Sequence, residues 1–566
     1  MADRIDITRR KFCGFFSSLG IFFTFVPKLL LAKFQRQGEP QITKTMIQEA
    51  EKIVGLEFTD AERELMLDGV HENLSAYEKL RTIPIDNSVP PAIQFNPILP
   101  GMKFETKKLP IKISRISTPP VPANLEDLAF MPVIHLAQLI KARKISSMQL
   151  TKMYLERLKR YDPQLQCVIT LTEDLALRQA AEADKELAAG KYRGPLHGIP
   201  WGAKDLLATK GYKTTWGAMT HKDQMLDYDA TVVERLQRAG AVLIAKLSMG
   251  ALAWGDVWFG GTTKNPWNLS QGSSGSSAGP AAATAAGLVG FSIGTETYGS
   301  IVSPSTRCGV TGLRPTFGRV SRHGAMALSW SMDKIGPICR SVEDCALVFD
   351  VIYGPDGKDL TIVDLPFNWD ASRNVRKLRI GYFQRAFAAD REDKQAKAND
   401  EAVLDVLRSK GIHLVPIELP NEPVSALRFI LNAEAAAAFD DLTRSNRDDL
   451  LVRQGKNAWP NVFRHSRFIP AVEYIQANRV RTLLQQKMAK VMSQVDVFVT
   501  PSYGGDVLLL TNLTGHPAVV VPNGFNEQGS PTSITFIGKL FGEAETFLVA
   551  KTYQDATDFH LKHPNL

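Results

Sequence analysis

The sequence predicts an α/β fold built around a buried mixed β-sheet, and two observations lead to that class. Beyond residue 190, short apolar runs alternate with segments of helical periodicity, which is the pattern of strands and helices in alternation. The runs 199–203 and 241–245 contain no polar side chain, as expected for strands buried on both faces. A chain of 566 residues is long enough to enclose such a sheet.

Composition indicates an ordinary globular protein without a nucleic-acid partner, a metal or another cofactor. Hydrophobic residues make up 44% and charged residues 22% of the chain, and the net charge of +8 is modest. No Lys/Arg stripe with interleaved aromatic residues is found. The five cysteines are scattered without a C-x-x-C pair, and the ten histidines form no HExxH motif. We therefore expect free thiols and no metal site.

Residues 1–35 have the character of an export signal. Arg9-Arg10 and Lys11 precede a short apolar stretch, Phe12–Val26, and this order resembles a twin-arginine signal. The apolar stretch is shorter than the roughly 20 residues that a membrane-spanning helix needs. The sequence therefore predicts an exported, periplasmic protein that meets the membrane only through this signal. It leaves open whether the signal is cleaved or kept as an anchor.

Residues 36–120 form a predicted N-terminal extension, and the main domain is predicted at 121–566. The first part of the extension, 49–67, has helical periodicity, and Thr59-Asp60 is placed to cap a helix. Its second part, 84–101, is rich in proline. Such a composition favours an extended chain that wraps over another part of the protein.

Several elements of the main domain can be placed individually. The stretch 124–190 has helical periodicity, and its last helix is expected to end at Gly190. A further helix is expected to end at Gly240. The Ala-rich run 281–286 is most simply a buried helix. Two further buried strands are predicted at 495–502 and 516–525.

The segment 272–305 combines small, flexible residues with a run that must be buried. Its Gly-Ser start leads into an apolar Ala-rich run, and a second Gly-Ser pair follows. Small residues beside a buried run predict a tight site where backbone amides and hydroxyl groups face a ligand. Lys204, in the run HGIPWGAKDLL, is another reactive group with apolar neighbours. Two serines and a lysine are the components of an acyl-transfer site.

Two motifs in this segment resemble the signature of the amidase signature family. They are GSSAG at 275–279 and GTETYGS at 294–300, and the family separates its two serines by the 24 residues found from Ser276 to Ser300. Ser273 lies 27 residues before Ser300 and does not fit this spacing. The resemblance extends to the runs GIPWGAKD, LRPTFGRVSR and NLTGHPAVVVPNGF. It implies the amidase signature fold, a large mixed central β-sheet covered by helices on both faces, here with an N-terminal extension.

The resemblance also implies a Ser-Ser-Lys triad that uses no cofactor. Ser300 would be the nucleophile that forms an acyl-enzyme, Lys204 the base, and Ser276 the relay for the proton between them. Lys204 must be neutral to act as a base, and burial lowers a lysine pKa from its usual value of about 10.4. The family places a cis peptide bond at Ser276. Ser277 and Glu296 are supporting residues, and the implied oxyanion hole consists of the backbone N–H groups of Thr297, Tyr298, Gly299 and Ser300.

Three positions near the predicted nucleophile depart from the family pattern. Glu296 stands in place of the usual aspartate, Tyr298 in place of a glycine and Val302 in place of a common arginine. We therefore expect a different contact to support this turn. The chain is also short between Pro501 and Asn512, where many relatives insert a loop over the pocket. The sequence thus predicts a more open entrance to the site.

Taken with the export signal, the resemblance predicts an exported amidase that cleaves the C–N bond of a small-molecule carboxamide. One alternative is the glutamine-hydrolysing A subunit of a tRNA-dependent amidotransferase, which shares the signature and works with partner subunits. Ester hydrolysis would use the same acyl-enzyme, and a catalytically altered binding protein would keep the same fold. Ser331–Lys334 matches the S-x-x-K pattern of penicillin-binding proteins, although no SDN or KTG segment accompanies it. The sequence leaves the substrate open, as well as the oligomeric state, for which a homo-oligomer is one alternative.

Overall fold

Two compact units make up the part of the chain that the structure describes. The computed structural model describes residues 42–566, and the units divide between Ile85 and Asp86. In the first unit the described residues form two helices, α1 (Lys44–Val54) and α2 (Asp60–Leu80). The limits drawn from the sequence for the export signal, the extension and the main domain stay predictions.

The helix cap predicted at Thr59 is confirmed at the start of α2. The Thr59 side chain accepts a hydrogen bond from the Glu62 N–H, and the Glu62 carboxylate accepts one from the Thr59 N–H. This reciprocal pair gives partners to two backbone donors that the helix itself leaves unpaired.

The second unit is organised around an eleven-stranded mixed sheet. The strands of the chain are β1 (Val168–Leu171), β2 (Pro200–Lys204), β3 (Val242–Leu247), β4 (Val257–Trp258), β5 (Gly261–Thr262), β6 (Lys264–Asn265), β7 (Asn268–Gly272), β8 (Phe291–Glu296), β9 (Thr311–Arg314), β10 (Lys334–Cys339), β11 (Ile380–Phe383), β12 (Leu414–Ile417), β13 (Val497–Pro501), β14 (Ala518–Phe525) and β15 (Pro531–Gly538). In the large sheet they lie in the order β1-β3-β2-β8-β10-β9-β14-β15-β13-β11-β12, while β4–β5 and β6–β7 form separate two-stranded sheets. Strands β3, β2 and β8 are parallel, as are β13, β11 and β12, and the strands between these two groups are antiparallel.

Helices flank this sheet and bury its central strands. The α-helices of the second unit are α3 (Val133–Lys141), α4 (Ser147–Leu165), α5 (Glu173–Ala188), α6 (Thr231–Arg238), α7 (Ala278–Ala285), α8 (Val302–Cys308), α9 (Val342–Ile352), α10 (Gln384–Ala388), α11 (Lys394–Ser409), α12 (Phe429–Ala438), α13 (Asp440–Arg444), α14 (Trp459–Ser466), α15 (Ala471–Gln494), α16 (Val507–Thr514) and α17 (Glu543–Gln554). Every residue of β2, β3, β8, β9 and β10 is buried, which requires cover on both faces. The predicted fold class is therefore confirmed.

The elements predicted individually are also found, with shifts of one to a few residues at their ends. Helices α5 and α6 stop just before Gly190 and Gly240, α7 covers most of the Ala-rich run, and β2, β3, β13 and β14 fall on the predicted apolar runs. Strand β8 was not predicted. Its residues FSIGTE mix polar and small side chains, so no apolar run indicates a strand. The strand is buried because it lies in the middle of the sheet, and local sequence does not show that position.

The proline-rich residues 87–94, here called the strap, contain neither helix nor strand. At one end the Asn87 side chain donates a hydrogen bond to the Ala327 carbonyl (3.0 Å) and accepts one from the Ala327 N–H (2.7 Å). Just beyond the other end, Phe95 packs edge-on against Phe317, with ring centroids 5.1 Å apart. The segment therefore contacts other parts of the second unit near both ends, as a wrapping course requires, while a turn at 87–88 and bends at 92–93 interrupt the extended chain that was predicted.

None of the helices between residues 42 and 566 combines the length and the apolar character needed to span a bilayer. Within the same range, no cluster of three or more His, Cys, Asp or Glu side chains is placed to hold a metal ion. The cysteines found there are free and buried, namely Cys167, Cys308, Cys339 and Cys345. The predicted export signal and Cys13 lie outside the described residues.

Candidate active site

Lys204 is the last residue of β2, and its side chain ends among hydroxyl groups in the interior. Its ammonium nitrogen Nζ lies 2.8 Å from Ser276 Oγ, 3.1 Å from Ser277 Oγ and 2.8 Å from Thr295 Oγ1. The residue is completely buried. The structure thus brings together two of the three predicted triad residues, Lys204 and Ser276, in direct contact.

The surroundings of Lys204 favour its neutral form. Burial lowers the pKa of Lys204 to about 7, although the negative charges of Asp333 and Glu296 act in the opposite direction. An amine with this pKa is about half neutral at pH 7 and can accept a proton there. Lys204 therefore has the property that the base of an acyl-transfer site needs.

The loop that carries Ser276 and Ser277 joins β7 to α7 and is tightly enclosed. The peptide bond between Gly275 and Ser276 is cis, as the family resemblance implied. A Cβ atom at Gly275 would lie 1.8 Å from the Gly255 carbonyl oxygen, so only glycine fits where the two backbones meet. Ser277 Oγ donates a hydrogen bond to the Thr295 carbonyl and accepts one from the Thr295 N–H, both at 3.1 Å. Ser277 therefore ties this loop to β8.

Ser300 lies in the turn between β8 and α8 and is 9% exposed. The Ser277 N–H donates to its carbonyl at 3.2 Å, which fixes the turn beside the loop of Ser276. Within the described residues, the backbone N–H groups of 297–300 have no hydrogen-bond acceptor. Gly299 has φ of 92°, in the left-handed region that favours glycine. Successive free N–H groups in such a turn can bind an oxyanion.

The structure does not close the predicted relay from Ser276 to Ser300. Among residues 42–566, the Ser300 hydroxyl has no hydrogen-bond partner, while the Ser276 hydroxyl is held by Lys204. Hydrogen bonds between catalytic groups are often long without substrate and shorten in the complex. The role of Ser300 as nucleophile therefore stays a prediction that rests on the motif and on the position of the turn.

Glu296, at the end of β8, holds the turn that carries Ser300. One of its carboxylate oxygens accepts the N–H groups of Ile301 and Val302, both at 2.9 Å, and the other lies 2.9 Å from the Arg314 guanidinium and 2.8 Å from the Asn512 amide. Burial raises the pKa of Glu296, and the Arg314 charge and these donors outweigh burial, so the pKa lies below its usual value. Arg314 thus supplies a positive charge beside this turn, whereas position 302, commonly an arginine in the family, is a valine in this chain.

Breaking the buried pair between Glu296 and Arg314 is expected to destabilise the protein. Both side chains are completely buried, so Arg314→Met leaves an unpaired carboxylate in the interior and should lower the free energy of unfolding by about 3–5 kcal/mol. Urea denaturation followed by circular dichroism measures this change. Arg238→Met, which removes the exposed pair with Glu234, is the control and should cost less than about 1 kcal/mol. An equal loss in the free energy of unfolding for the two variants would contradict the assignment of Glu296 and Arg314 as a stabilising buried pair.

Two residues of the site were missed by sequence reasoning, Thr295 and Asp333. Thr295 contacts Lys204, and the Asp333 carboxylate accepts hydrogen bonds from the Thr297 hydroxyl (2.5 Å) and the Ser329 N–H (2.9 Å). Burial raises the pKa of Asp333. Thr295 lies in β8 and Thr297 directly follows its last residue, so the period-two spacing in GTET would place Thr295 and Thr297 on one side once a strand is recognised there.

The S-x-x-K match at Ser331–Lys334 is not a catalytic pair. Ser331 Oγ donates to the Glu434 carboxylate at 2.7 Å, and Lys334 Nζ donates to the Met332 carbonyl. Ser331 and Lys334 therefore each have a different partner, and the resemblance to the S-x-x-K pattern of penicillin-binding proteins loses its support.

A cavity of about 160 Å³ lies beside the catalytic strand β8. Thr295 and Thr297 form part of its lining, as does the strap, whereas none of the three predicted triad residues lines it. The more open entrance predicted from the sequence concerned the shortened loop between Pro501 and Asn512. No residue of that loop lines this cavity, so the open entrance stays a prediction.

Comparison with known proteins identifies the family. The family model described as Amidase matches residues 149–508. The chain belongs to the amidase signature family. The matched residues include Lys204, Ser276 and Ser300, while the strap precedes them.

Other amidase signature proteins are similar over nearly their whole length. The A subunit of Glutamyl-tRNA(Gln) amidotransferase from Acinetobacter baumannii is 36% identical in an alignment of 490 residues that covers 77% of this chain and 98% of that protein. The native peptide amidase of Stenotrophomonas maltophilia has a TM-score of 0.67 at 30% identity and covers 76% of this chain and 97% of its own. The structure of the amidotransferase A subunit from Thermotoga maritima has a TM-score of 0.65 at 26% identity, covering 76% and 95%.

Proposed function

We propose that this chain is a serine hydrolase that cleaves the carboxamide C–N bond of a small-molecule substrate through an acyl-enzyme. Membership of the amidase signature family supports amide cleavage as the class of reaction. The observation that carries the finer assignment is the 2.8 Å contact between Ser276 Oγ and a completely buried Lys204 whose pKa is lowered to about 7. A neutral amine in contact with a hydroxyl is what activates a serine in this chemistry.

In the proposed reaction, Ser300 Oγ attacks the carbonyl carbon of the amide. Its proton passes to Ser276 while the Ser276 proton passes to neutral Lys204. The free N–H groups of 297–300 bind the oxyanion of the tetrahedral intermediate. The proton then returns through Ser276 to the leaving nitrogen as the C–N bond breaks, and water hydrolyses the ester left on Ser300.

Glutamine hydrolysis within an amidotransferase is a second candidate. It is favoured by the 36% identity to proteins of that name, which align over 98% of their length. The two candidates differ in what the isolated chain can do. Rapid ammonia release from L-glutamine only after partner subunits are added would favour the amidotransferase, whereas hydrolysis of simple amides by the chain alone would favour the amidase.

A serine-directed fluorophosphonate probe tests the proposed function. The wild-type chain should be labelled, and peptide mapping should place the label on Ser300. A panel of primary amides, anilides, N-acyl amino acids and peptide amides should contain at least one substrate that the same preparation hydrolyses. Labelling of a different serine, together with no turnover of any member of the panel, would refute the proposal.

We also propose that residues 1–35 direct export to the periplasm. The support is the order of charge and apolar residues at Arg9-Arg10, Lys11 and Phe12–Val26. Changing both arginines to lysine should retain the protein in the cytoplasm on cell fractionation, and unchanged export would contradict a twin-arginine signal.

A further inference from the structure

The cavity beside β8 has an apolar lining with no uncompensated carboxylate or guanidinium. Arg322 pairs with Asp359 at 3.0 Å, and the hydroxyl of Thr297 and two backbone N–H groups satisfy Asp333. Two lysines also line the cavity: Lys358 pairs with Glu234 at 3.1 Å, and Lys334 donates to the Met332 carbonyl. Most of the remaining lining is apolar, including Leu206, Met326, Leu328 and Ile335. Burying a charged ligand group against such a surface is unfavourable. The cavity is therefore suited to an uncharged, apolar group.

The size of the cavity limits that group. Its volume of about 160 Å³ is close to the roughly 150 Å³ of an engineered apolar cavity that binds benzene. A phenyl ring or a branched alkyl group of similar volume would fill it, whereas a methyl group would leave most of it empty. Filling the cavity is favourable because the apolar surfaces of both the ligand and the cavity are removed from water.

The strap closes one side of this cavity. Pro90, Pro91, Ile93 and Gln94 line it, whereas Val89 and Ala92 of the same segment do not. Asn87 fixes the strap through hydrogen bonds to Ala327 and to the Ala438 carbonyl (3.3 Å). Two prolines restrict its backbone further. Residues 88–94 of the strap are exposed to solvent, so they form a restrained rim on this side of the cavity, and a restrained rim loses less conformational freedom when a ligand binds.

The position of the cavity indicates which half of the substrate enters it. The leaving nitrogen must lie at Ser276, because the proposed relay returns its proton there, and Ser276 is not part of the lining. Thr297 is part of the lining, and its N–H belongs to the group of free donors that would hold the carbonyl oxygen. A substituent that extends past Thr297 into the cavity is thus attached to the carbonyl carbon, on the acyl side of the amide.

We propose that this cavity binds the acyl substituent of the substrate and that the strap sets its size and polarity. The inference rests on the proposed function and names its substrate class: amides of uncharged acyl groups about as large as phenylacetyl. The strap precedes the residues that match the family model, so this specificity belongs to the extension of the chain.

Three amides test the proposal with purified full-length protein. Phenylacetamide has a large acyl group, acetamide a small one, and N-benzylacetamide carries the same ring on the leaving side. A single methylene in an apolar pocket changes kcat/KM by about 10–200-fold. We expect phenylacetamide to exceed acetamide by tenfold or more and N-benzylacetamide to gain no such advantage. Preference for N-benzylacetamide, or equal rates for all three, would overturn the proposal.

Strap variants connect this preference to the cavity wall. Ile93 is 87% exposed and forms the solvent-facing rim of the lining, so Ile93→Ala should fold normally and should lower the ratio of phenylacetamide to acetamide severalfold. Val89→Ala, in the same segment and outside the lining, is the matched control and should leave the ratio unchanged. Ala327→Leu, which adds bulk to the lining next to Asn87 of the strap, should lower the same ratio by at least tenfold. An unchanged ratio in both Ile93→Ala and Ala327→Leu would contradict the proposed wall.

A binding measurement separates failure of this inference from failure of the proposed function. Phenylacetamide binding to the Ser300→Ala protein is measured by calorimetry, with and without Ile93→Ala. If no amide is hydrolysed but Ile93→Ala still weakens binding severalfold, the cavity assignment stands and the hydrolase assignment falls. If acetamide is hydrolysed through Ser300 and Ile93→Ala changes neither binding nor the substrate ratio, the hydrolase assignment stands and the cavity assignment falls.

Discussion

Ser300→Ala is expected to lower kcat/KM for amide hydrolysis by about 10⁴–10⁶-fold, because it removes the atom that we propose forms the acyl-enzyme. The structure places Ser300 beside four free N–H groups and joins its carbonyl to the loop of Ser276. Alanine leaves these backbone features intact, so substrate binding should change little. Initial rates with the best amide of the panel, and labelling by the fluorophosphonate, measure the effect.

Ser303→Ala is the matched control for this change. Ser303 lies three residues later in α8, and its hydroxyl contacts Ser274 and Tyr503 at 2.8 and 3.1 Å without touching Lys204. Its loss should change kcat/KM by less than about tenfold. Full activity and labelling in Ser300→Ala would move the nucleophile to another residue.

Lys204→Met is expected to lower kcat by about 10²–10⁴-fold, the usual contribution of a general base. In the wild-type protein, kcat/KM should rise with pH up to about 7 and then level off, because only the neutral amine accepts a proton and the pKa of Lys204 is lowered to about 7. Below that pH the neutral fraction falls about tenfold per unit, so the rate should fall with a slope of one on a logarithmic scale. Rate–pH profiles from pH 5 to 9 measure this.

The control for loss of charge is Lys210→Met. Lys210 is exposed and pairs with the exposed Asp227 at 3.1 Å, so its replacement should leave both the rate and the profile unchanged. In the Lys204→Ala variant, added ethylamine should restore part of the activity by occupying the vacated space. A Lys204→Met variant that keeps the wild-type inflection near pH 7 would assign that titration to another group.

The parts of the site that could be predicted are those fixed by local sequence. The sequence itself shows the spacing of Ser276 and Ser300 and the apolar run around Lys204. These features carry the family resemblance, and that resemblance implies the contact between Lys204 and Ser276. The contribution of Thr295 was hidden because β8 lacks an apolar pattern, so no strand was predicted to align Thr295 with Lys204.

The remaining parts depend on contacts between residues distant in the chain. Arg314 reaches Glu296 through the strand order of the sheet, and the strap reaches the cavity across more than two hundred residues of sequence. Neither local periodicity nor a motif encodes such pairings, because they arise only when the whole core is packed. The wrapping course of the strap could be predicted from its prolines, but its destination could not.

The enclosure of Lys204 couples folding to proton release. An exposed lysine in the unfolded chain keeps a pKa near 10.5, whereas the folded value is about 7, so between these values the native state holds one proton fewer. The free energy of unfolding gains a positive slope of up to about 1.4 kcal/mol per pH unit from this residue across that interval. Lys204 thus opposes folding below about pH 10.5 and does so most strongly below pH 7, while alkaline conditions remove this cost. The burial that gives the proposed base its low pKa therefore lowers the stability of the protein at neutral pH.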